Sequence, residues 1–386
     1  MSAPSSHMHD VRASSDSDVA REPPAEGRDL LRALANAVGL SLFFFAVYVS
    51  CNVITSRRSD VGHASFAWEQ FIPFVPWMIV PYMSLDLFFF AAPFLCATRR
   101  ERTDHARRLM LAMMIAGACF LLFPLTPTFT RPRVVGMFAP VFNFLYGFDR
   151  PYNLAPSLHI ALRSLLWVVY VRHLRGLARA GVTVWFVLIG LSTVLTHQHQ
   201  VIDVVTGQFL GLFCLHVFPD GSGANIGPRN LRVAVWYGFG AMLIGLVAYA
   251  ARPWGLVLLW PAASLAIMAW AYFKAGPAVF RKRDGRLPLS TYIVLGPYLL
   301  GTRMACLWHA RRDVPFSRVR PGLIIGRSLR AAEARGLIAG GVDAVLDLTA
   351  ECGETGPFLG LAYLNVPILD LTVPTAEQLA DRKSVV

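Results

Sequence analysis

The sequence predicts an all-α polytopic membrane protein with a small α/β segment at its C-terminal end. Three observations carry this. Only 16% of the 386 residues are charged and 55% are hydrophobic, whereas a soluble chain is about one quarter charged. Apolar runs of spanning length recur from residue 34 to residue 273. Arginines gather between these runs rather than along one face. The same composition excludes a disordered chain, a disulfide scaffold and a collagen-like fibre, and no repeat of fixed period is visible.

The net charge is +12, from 36 basic and 24 acidic residues, and Lys274, Lys282 and Lys383 are the only lysines. A strongly basic chain is also what a nucleic-acid binder shows. Here the arginines form no stripe with interleaved aromatics, so they read as the positive charge that cytoplasmic loops carry, with no nucleic-acid partner. Such arginine preference is expected of a GC-rich bacterial genome. Cys51, Cys96, Cys119, Cys214 and Cys306 lie inside apolar runs at no ligand spacing and read as small hydrophobes.

Residues 1–30 are rich in Ser, Asp, Pro and Glu without apolar periodicity, and are expected to be a disordered cytoplasmic tail. The first span is read at 34–54, too long and too poorly flanked for a cleaved signal peptide. Further spans are read at 71–97, 109–126, 158–174, 182–198, 200–218, 233–250 and 254–273. The arginine-rich loop 98–108, with Arg99, Arg100, Arg102, Arg107 and Arg108, is assigned to the cytoplasm. So are the loop at 172–179 and the basic segment at 281–286. Simple alternation then places the loop 127–157 and the junction near 198–200 on the outer face; Arg57 and Arg58 run against the rule. Residues 287–309 are long enough to span, but Pro288, Gly296, Pro297, Gly301 and Arg303 interrupt them. They read as an interfacial or re-entrant segment that keeps the C-terminal end in the cytoplasm.

From residue 313 the pattern becomes that of a soluble α/β segment. Residues 322–326 (GLIIG) and 344–349 (AVLDLT) read as short buried strands. The sequence between them has helical spacing and closes on Gly340 and Gly341. Some seventy residues seldom complete an α/β domain, so this one reads as unfinished.

Two clusters carry chemistry. Pro156, Ser157, Leu158 and His159 stand where a loop enters the fourth span. Free backbone N–H groups, a hydroxyl and an imidazole around a helix N-terminus suit a phosphate oxyanion. The second cluster runs from Thr196 to Asp203, with His197, His199 and Asp203 in it. His199 and Asp203 are four apart, so on a helix the carboxylate can hold the imidazole. A histidine so held is a competent nucleophile toward phosphorus, and a second histidine can protonate the leaving alkoxide. A polar network that merely fastens helices is the alternative for any one of these residues. Three ionisable groups converging from two spans point instead to function. A metal on His197 and His199 lacks a third ligand at familiar spacing other than Asp203, so neither a metal nor another cofactor is assigned.

PSLH followed by S-T-x5-H-x3-D resembles the type 2 phosphatidic acid phosphatase superfamily. Together with Asp149-Arg150-Pro151-Tyr152-Asn153, it resembles more narrowly the branch that includes inositol phosphorylceramide synthases. The resemblance covers about residues 70–218 and implies a six-helix core. It also implies His199 as nucleophile, Asp203 as its orienter, His159 as general acid, and Ser157 in the phosphate cradle. Two positions depart from it. Thr193 stands where members carry Arg, and Pro124 stands where they carry a Lys. The missing cations leave Arg131, Arg133, Arg150 and Arg163 as candidates for the phosphate.

The C-terminal segment resembles the first half of a dual-specificity protein phosphatase through RPGLIIG, AVLDLTAE and VPILDL, and Asp370 matches that family's general acid. The family's Cys-x5-Arg loop would lie further on. Cys352 does not replace it, because Phe358 occupies the arginine position. This half is expected to be inactive.

The expectation is therefore a multi-pass protein of the plasma (inner) membrane in four parts: a tail (1–30), a six-span core (31–218), additional membrane helices with an interfacial segment (219–312), and a truncated phosphatase-like segment (313–386). Its substrate is a membrane lipid phosphate, hydrolysed at the outer face. The first alternative is a phosphotransferase that moves the phospho-headgroup to an alcohol such as inositol. The second, of another class, is a non-catalytic lipid-binding or transport protein. The oligomeric state is not fixed by the sequence.

Overall fold

The computed structural model describes residues 28–219, 229–312 and 314–373. The expected disordered tail lies, up to residue 27, outside the described residues. Helix α1 (Arg28–Thr55) is followed by α2 (Ile79–Leu95), α3 (Arg99–Leu122), α4 (Ala139–Phe148), α5 (Leu158–His173), α6 (Gly176–Leu195) and α7 (Val201–Val217). Then come α8 (Leu231–Ala250), α9 (Leu259–Trp270), α10 (Leu289–Val294) and α11 (Gly296–His309). Six helical stretches among the described residues are long and apolar enough to cross a membrane: 29–55, 76–95, 99–122, 176–195, 231–250 and 254–280.

The two spans on which the chemistry was placed are shorter. α5 has 16 residues and α7 has 17. Their position accounts for it: α5 packs against α2, α3, α6 and α7, and so lies at the centre of the bundle. Leu158, Leu162, Leu165 and Leu166 of α5 meet Leu109, Met113 and Phe120 of α3, Phe186 and Ile189 of α6, and Leu210 and Cys214 of α7 in one buried cluster. α7 comes closest. A side chain at Gly211 would strike Ser164 and the Ala161 backbone, so these two helices meet nearly backbone to backbone. By contrast α8 leaves Val235, Trp236, Phe239 and Leu246 more than half exposed, a surface suited to lipid.

Two readings of the membrane half are corrected, and a third, the span at 254–273, holds with an irregular helix. The expected loop 98–108 is the start of α3, because Thr98 caps it by accepting from the Glu101 N–H at 3.1 Å. Arg102 and Arg108 are buried rather than solvated. They donate to the carbonyls of Pro93 at 3.2 Å and Phe218 at 2.8 Å, closing the ends of α2 and α7. The expected loop 127–157 contains α4. The run 254–273 is α-helical only over α9, with tighter or looser turns on either side.

Residues 287–309 form two helices that meet at Leu295, where Trp260 packs on Gly296 and donates to the Ile293 carbonyl at 2.8 Å. The basic segment before them lies beside the last turn of α7, since Arg281 donates to the Leu215 carbonyl at 3.4 Å. The residues that follow return to the same basic segment, where Lys282 pairs with Asp347. The chain thus enters and leaves this stretch at the end of the bundle where α7 terminates. Cys306 is exposed, unlike the four buried cysteines of the spans.

The C-terminal strands are β1 (Phe316–Arg320), β2 (Leu323–Gly326), β3 (Ala344–Thr349) and β4 (Ala362–Ile368), with α12 (Ala331–Ala339) between β2 and β3. β1 and β2 form an antiparallel hairpin that turns at Gly322 (φ +81°), while β3 and β4 pair in parallel. β2 therefore pairs back onto β1, not onto β3. The expected buried strands are also more open than predicted: β2 has no buried residue and β3 only Asp347. Leu329, Ala334, Leu337 and Phe358 make the small core of this segment. It is fastened to the membrane helices by Lys282, whose ammonium meets Asp347 Oδ2 at 2.5 Å, the Thr349 carbonyl at 2.9 Å and Thr349 Oγ1 at 3.1 Å.

Candidate active site

The site lies at the opposite end of the bundle, where α5 and α7 begin and α6 ends. α6 stops at Leu195 and Thr196 takes its cap position, after which the chain turns sharply through His197 (φ +53°). The N–H groups of Gln198 and His199 both donate to the Thr193 carbonyl, at 3.1 and 3.0 Å. α7 opens with Gln200 as its cap. Asp203, in the third helical position, reaches back to accept from the Gln200 N–H at 2.8 Å. The same oxygen lies 3.4 Å from His199 Nδ1. The sequence reading put both residues on one helix face. In fact His199 precedes the helix, and the pair meets because the capping carboxylate folds back over the turn.

Asp203 is fully buried and His199 nearly so. The Asp203 carbonyl accepts from the Ser157 N–H at 2.9 Å, tying the start of α5 to the first turn of α7. Ser157 is itself fully buried, and its hydroxyl accepts from the Ile160 N–H at 3.3 Å. It is engaged as the cap of α5. His159 follows in the first turn with its ring stacked on Tyr82, centroids 4.2 Å apart and planes 11° from parallel. Its Nε2 is buried without a hydrogen-bond partner.

His159 and His199 share the lining of one cavity of about 250 Å³. Its polar end is formed with Tyr48, Tyr82, Asp149 and Asn153, and its walls by Phe44, Phe45, Phe89, Phe144, Phe148 and neighbouring leucines. A pocket that is aromatic along its walls and polar at one end suits an amphiphile.

The four candidate arginines part company. Arg131 donates to the Asp149 carbonyl, pairs with its carboxylate at 3.3 Å, and lies over the Tyr146 ring at 4.9 Å. Asp149 lines the cavity, so Arg131 stands directly behind it. Arg150 turns away to Ser56 at 2.9 Å. Arg163 reaches along α6 and α7, donating to the Phe186 carbonyl at 3.4 Å and to Gln208 at 3.2 Å. Arg133 is exposed. None of the four lines the cavity; Arg131 reaches it only through Asp149.

Asp149 was missed as a site residue. It accepts from the Tyr48 hydroxyl at 2.6 Å and from Asn52 at 3.4 Å. Burial holds its carboxyl above the ordinary range, while Tyr48, Arg131 and His199 pull it the other way. The signal was present in the Asp-Arg-Pro-Tyr-Asn run, read then only as part of a resemblance. His197 points elsewhere, with Nε2 3.1 Å from the Ile72 carbonyl and its ring among Phe74 and Phe129. Among the described residues no group of three or more His, Cys, Asp or Glu side chains is placed to hold a metal.

Two imidazoles, one backed by a buried carboxylate, meet at the polar end of an apolar cavity within a helical bundle. Residues 74–217 match the PAP2 superfamily. The match takes in α2 to α7, and with them every residue of the polar cluster but Tyr48. No curated protein and no solved structure gives a significant match. The PAP2 superfamily is one of phosphatases, which supports a lipid-phosphate function for this membrane-embedded region.

Proposed function

We propose that the PAP2-like region hydrolyses a lipid phosphate, monoester or pyrophosphate, through a phosphohistidine on His199. The observation that carries this is the single cavity shared by His159, His199 and the phenylalanine walls. With Nδ1 turned to Asp203, His199 has Nε2 left for the substrate. Nε2 attacks phosphorus and the bond from phosphorus to the leaving oxygen breaks. His159 protonates that oxygen as it departs. Asp203 holds the tautomer and stabilises the imidazolium. Water, activated by His159, then attacks the phosphohistidine and releases phosphate. Arg131, fixed by Asp149, supplies positive charge in place of the cations missing at 124 and 193. The acyl chain lies along the phenylalanine walls.

By the distribution of arginines this site faces outward and residues 314–373 face the cytoplasm. The C-terminal segment, which resembles a dual-specificity phosphatase, presents no reactive thiol at Cys352. Burial and the neighbouring Glu351 push the Cys352 thiol up to about 12, so it is no thiolate at neutral pH.

The test is purified protein with a panel of labelled lipid phosphates and added inositol, with and without EDTA, scoring free phosphate against phosphorylated inositol. Release of phosphate that EDTA leaves unchanged is expected. Phosphoinositol as the product would establish the transferase instead. Absence of both products, with lipid still bound, would leave a binding protein.

A further inference from the structure

The turn that carries His199 is held from outside its own helices. The segment between α1 and α2 reaches it at three points. The Val75 N–H donates to the Leu195 carbonyl at 2.8 Å, and the Ile72 carbonyl lies 3.1 Å from His197 Nε2. Glu69 Oε2 accepts from the Val201 N–H at 3.0 Å, across 132 positions of sequence. Val201 is the first residue of α7, and no carbonyl of its own helix can reach that N–H.

Glu69 is an unusual residue to spend there. It is 4% exposed, and among the described residues no cation pairs with it. Its other oxygen accepts from the Phe66 N–H at 2.9 Å. A buried carboxylate without a counter-ion is tolerated only where hydrogen bonds and a helix N-terminus stabilise it. Two acceptor oxygens are needed because two N–H groups face it. A glutamine would turn an amide N–H₂ toward one of them.

The turn needs such support. His197 takes a left-handed backbone conformation that a non-glycine residue holds only when its surroundings impose it. His199 stands two residues on, and Asp203 meets it only if α7 starts where it does.

We propose that Glu69 is a positioning residue for His199: it fixes the start of α7 so that the imidazole and the Asp203 carboxylate meet. Its catalytic meaning rests on the nucleophile assigned above, but the geometry does not. The experiment compares full-length wild type, Glu69→Ala and Glu69→Gln in detergent. The imidazole ¹⁵N signal of His199 is assigned by its loss in His199→Ala, and melting temperature, kcat and KM are measured alongside. In Glu69→Ala the His199 signal shifts or broadens while that of His309 stays. At unchanged melting temperature kcat falls about 10²-fold, the scale of a misplacement of about 1 Å, with KM little altered. Glu69→Gln, which keeps one acceptor, falls between and serves alone if the alanine variant does not fold. An unchanged His199 signal and kcat in a folded variant overturns the proposal. So does a loss that only follows the unfolded fraction. If wild type turns over no lipid phosphate, the reading of function fails, and the imidazole signal still decides the role of Glu69.

Discussion

At His199 one ring nitrogen is 3.4 Å from Asp203 and the other is left for the cavity. In the proposed mechanism the imidazole carries the covalent step, so His199→Ala is expected to reduce turnover by a factor on the order of 10⁶ while lipid binding persists. Asp203→Asn keeps the helix cap and a polar neighbour but no charge for the imidazolium, and a milder loss of about 10²–10⁴-fold is expected. Single-turnover kinetics with a lipid phosphate check both; a His199→Ala protein of near-normal rate ends the mechanism. Arg131→Ala should lower kcat by about 10²–10³-fold, as loss of one charge-stabilising donor does. Arg131→Lys should recover little, because the fork that grips the Asp149 backbone carbonyl and its carboxylate Oδ2 together is gone. The matching change at Arg150, which faces Ser56, should leave kcat within a few-fold; the opposite ranking would move the phosphate away from Arg131.

Among the elements, α5 and α7 show what a sequence can and cannot tell. The apolar runs and the spacing of PSLH and H-x3-D were enough to place His159 and His199 at one end of two helices. They were not enough to show that Asp203 acts across a helix start, because that depends on Gln200 taking the cap and on the Thr193 carbonyl receiving two N–H groups. α4 was hidden in the stretch 127–157, which was read as a loop because it falls between spans and holds only ten helical residues. The first turns of α3 were hidden by charges that looked solvated and are buried. No side-chain pattern announces a backbone carbonyl waiting for an arginine.

The junction at Lys282 and Asp347 carries its own expectation, since both side chains are almost fully buried. Burial opposes the Asp347 carboxylate, but hydrogen bonds from Lys282 and Tyr363 hold it below the ordinary range. A group depressed on folding stabilises above its unfolded pKa, about 3.9 for an aspartate. That contribution is lost as pH falls through the lower folded value. Acidification below about pH 4 is therefore expected to loosen β3 and β4 from the membrane helices. At neutral pH Lys282→Ala leaves the carboxylate unpaired, at a cost of about 3–5 kcal/mol. Faster labelling of Cys352 by a maleimide is the readout; unchanged protection would mean that the pair does not fasten the segment.

For the whole molecule, the site and the C-terminal strands lie at opposite ends of the bundle, so a single orientation assigns them to opposite sides of a membrane. Val135 and Ile325 are exposed, one at each end, and serve as reporters. In a chain with Cys306 and Cys352 changed to Ser, a membrane-impermeant thiol reagent added to intact cells should label Val135→Cys and spare Ile325→Cys. The reverse pattern would invert the orientation and put the cavity on the inner side.

Arg163 and Gly190 bind the bundle together in a further way. The Arg163 guanidinium occupies the space in which any side chain at 190 would sit. A larger residue there would displace the mobile end of the arginine and take it from the Phe186 carbonyl and Gln208. The glycine is thus a berth for a cation: Gly190→Ala is expected to swing the guanidinium off its two acceptors, while Arg163→Ala leaves the berth vacant one turn below His159.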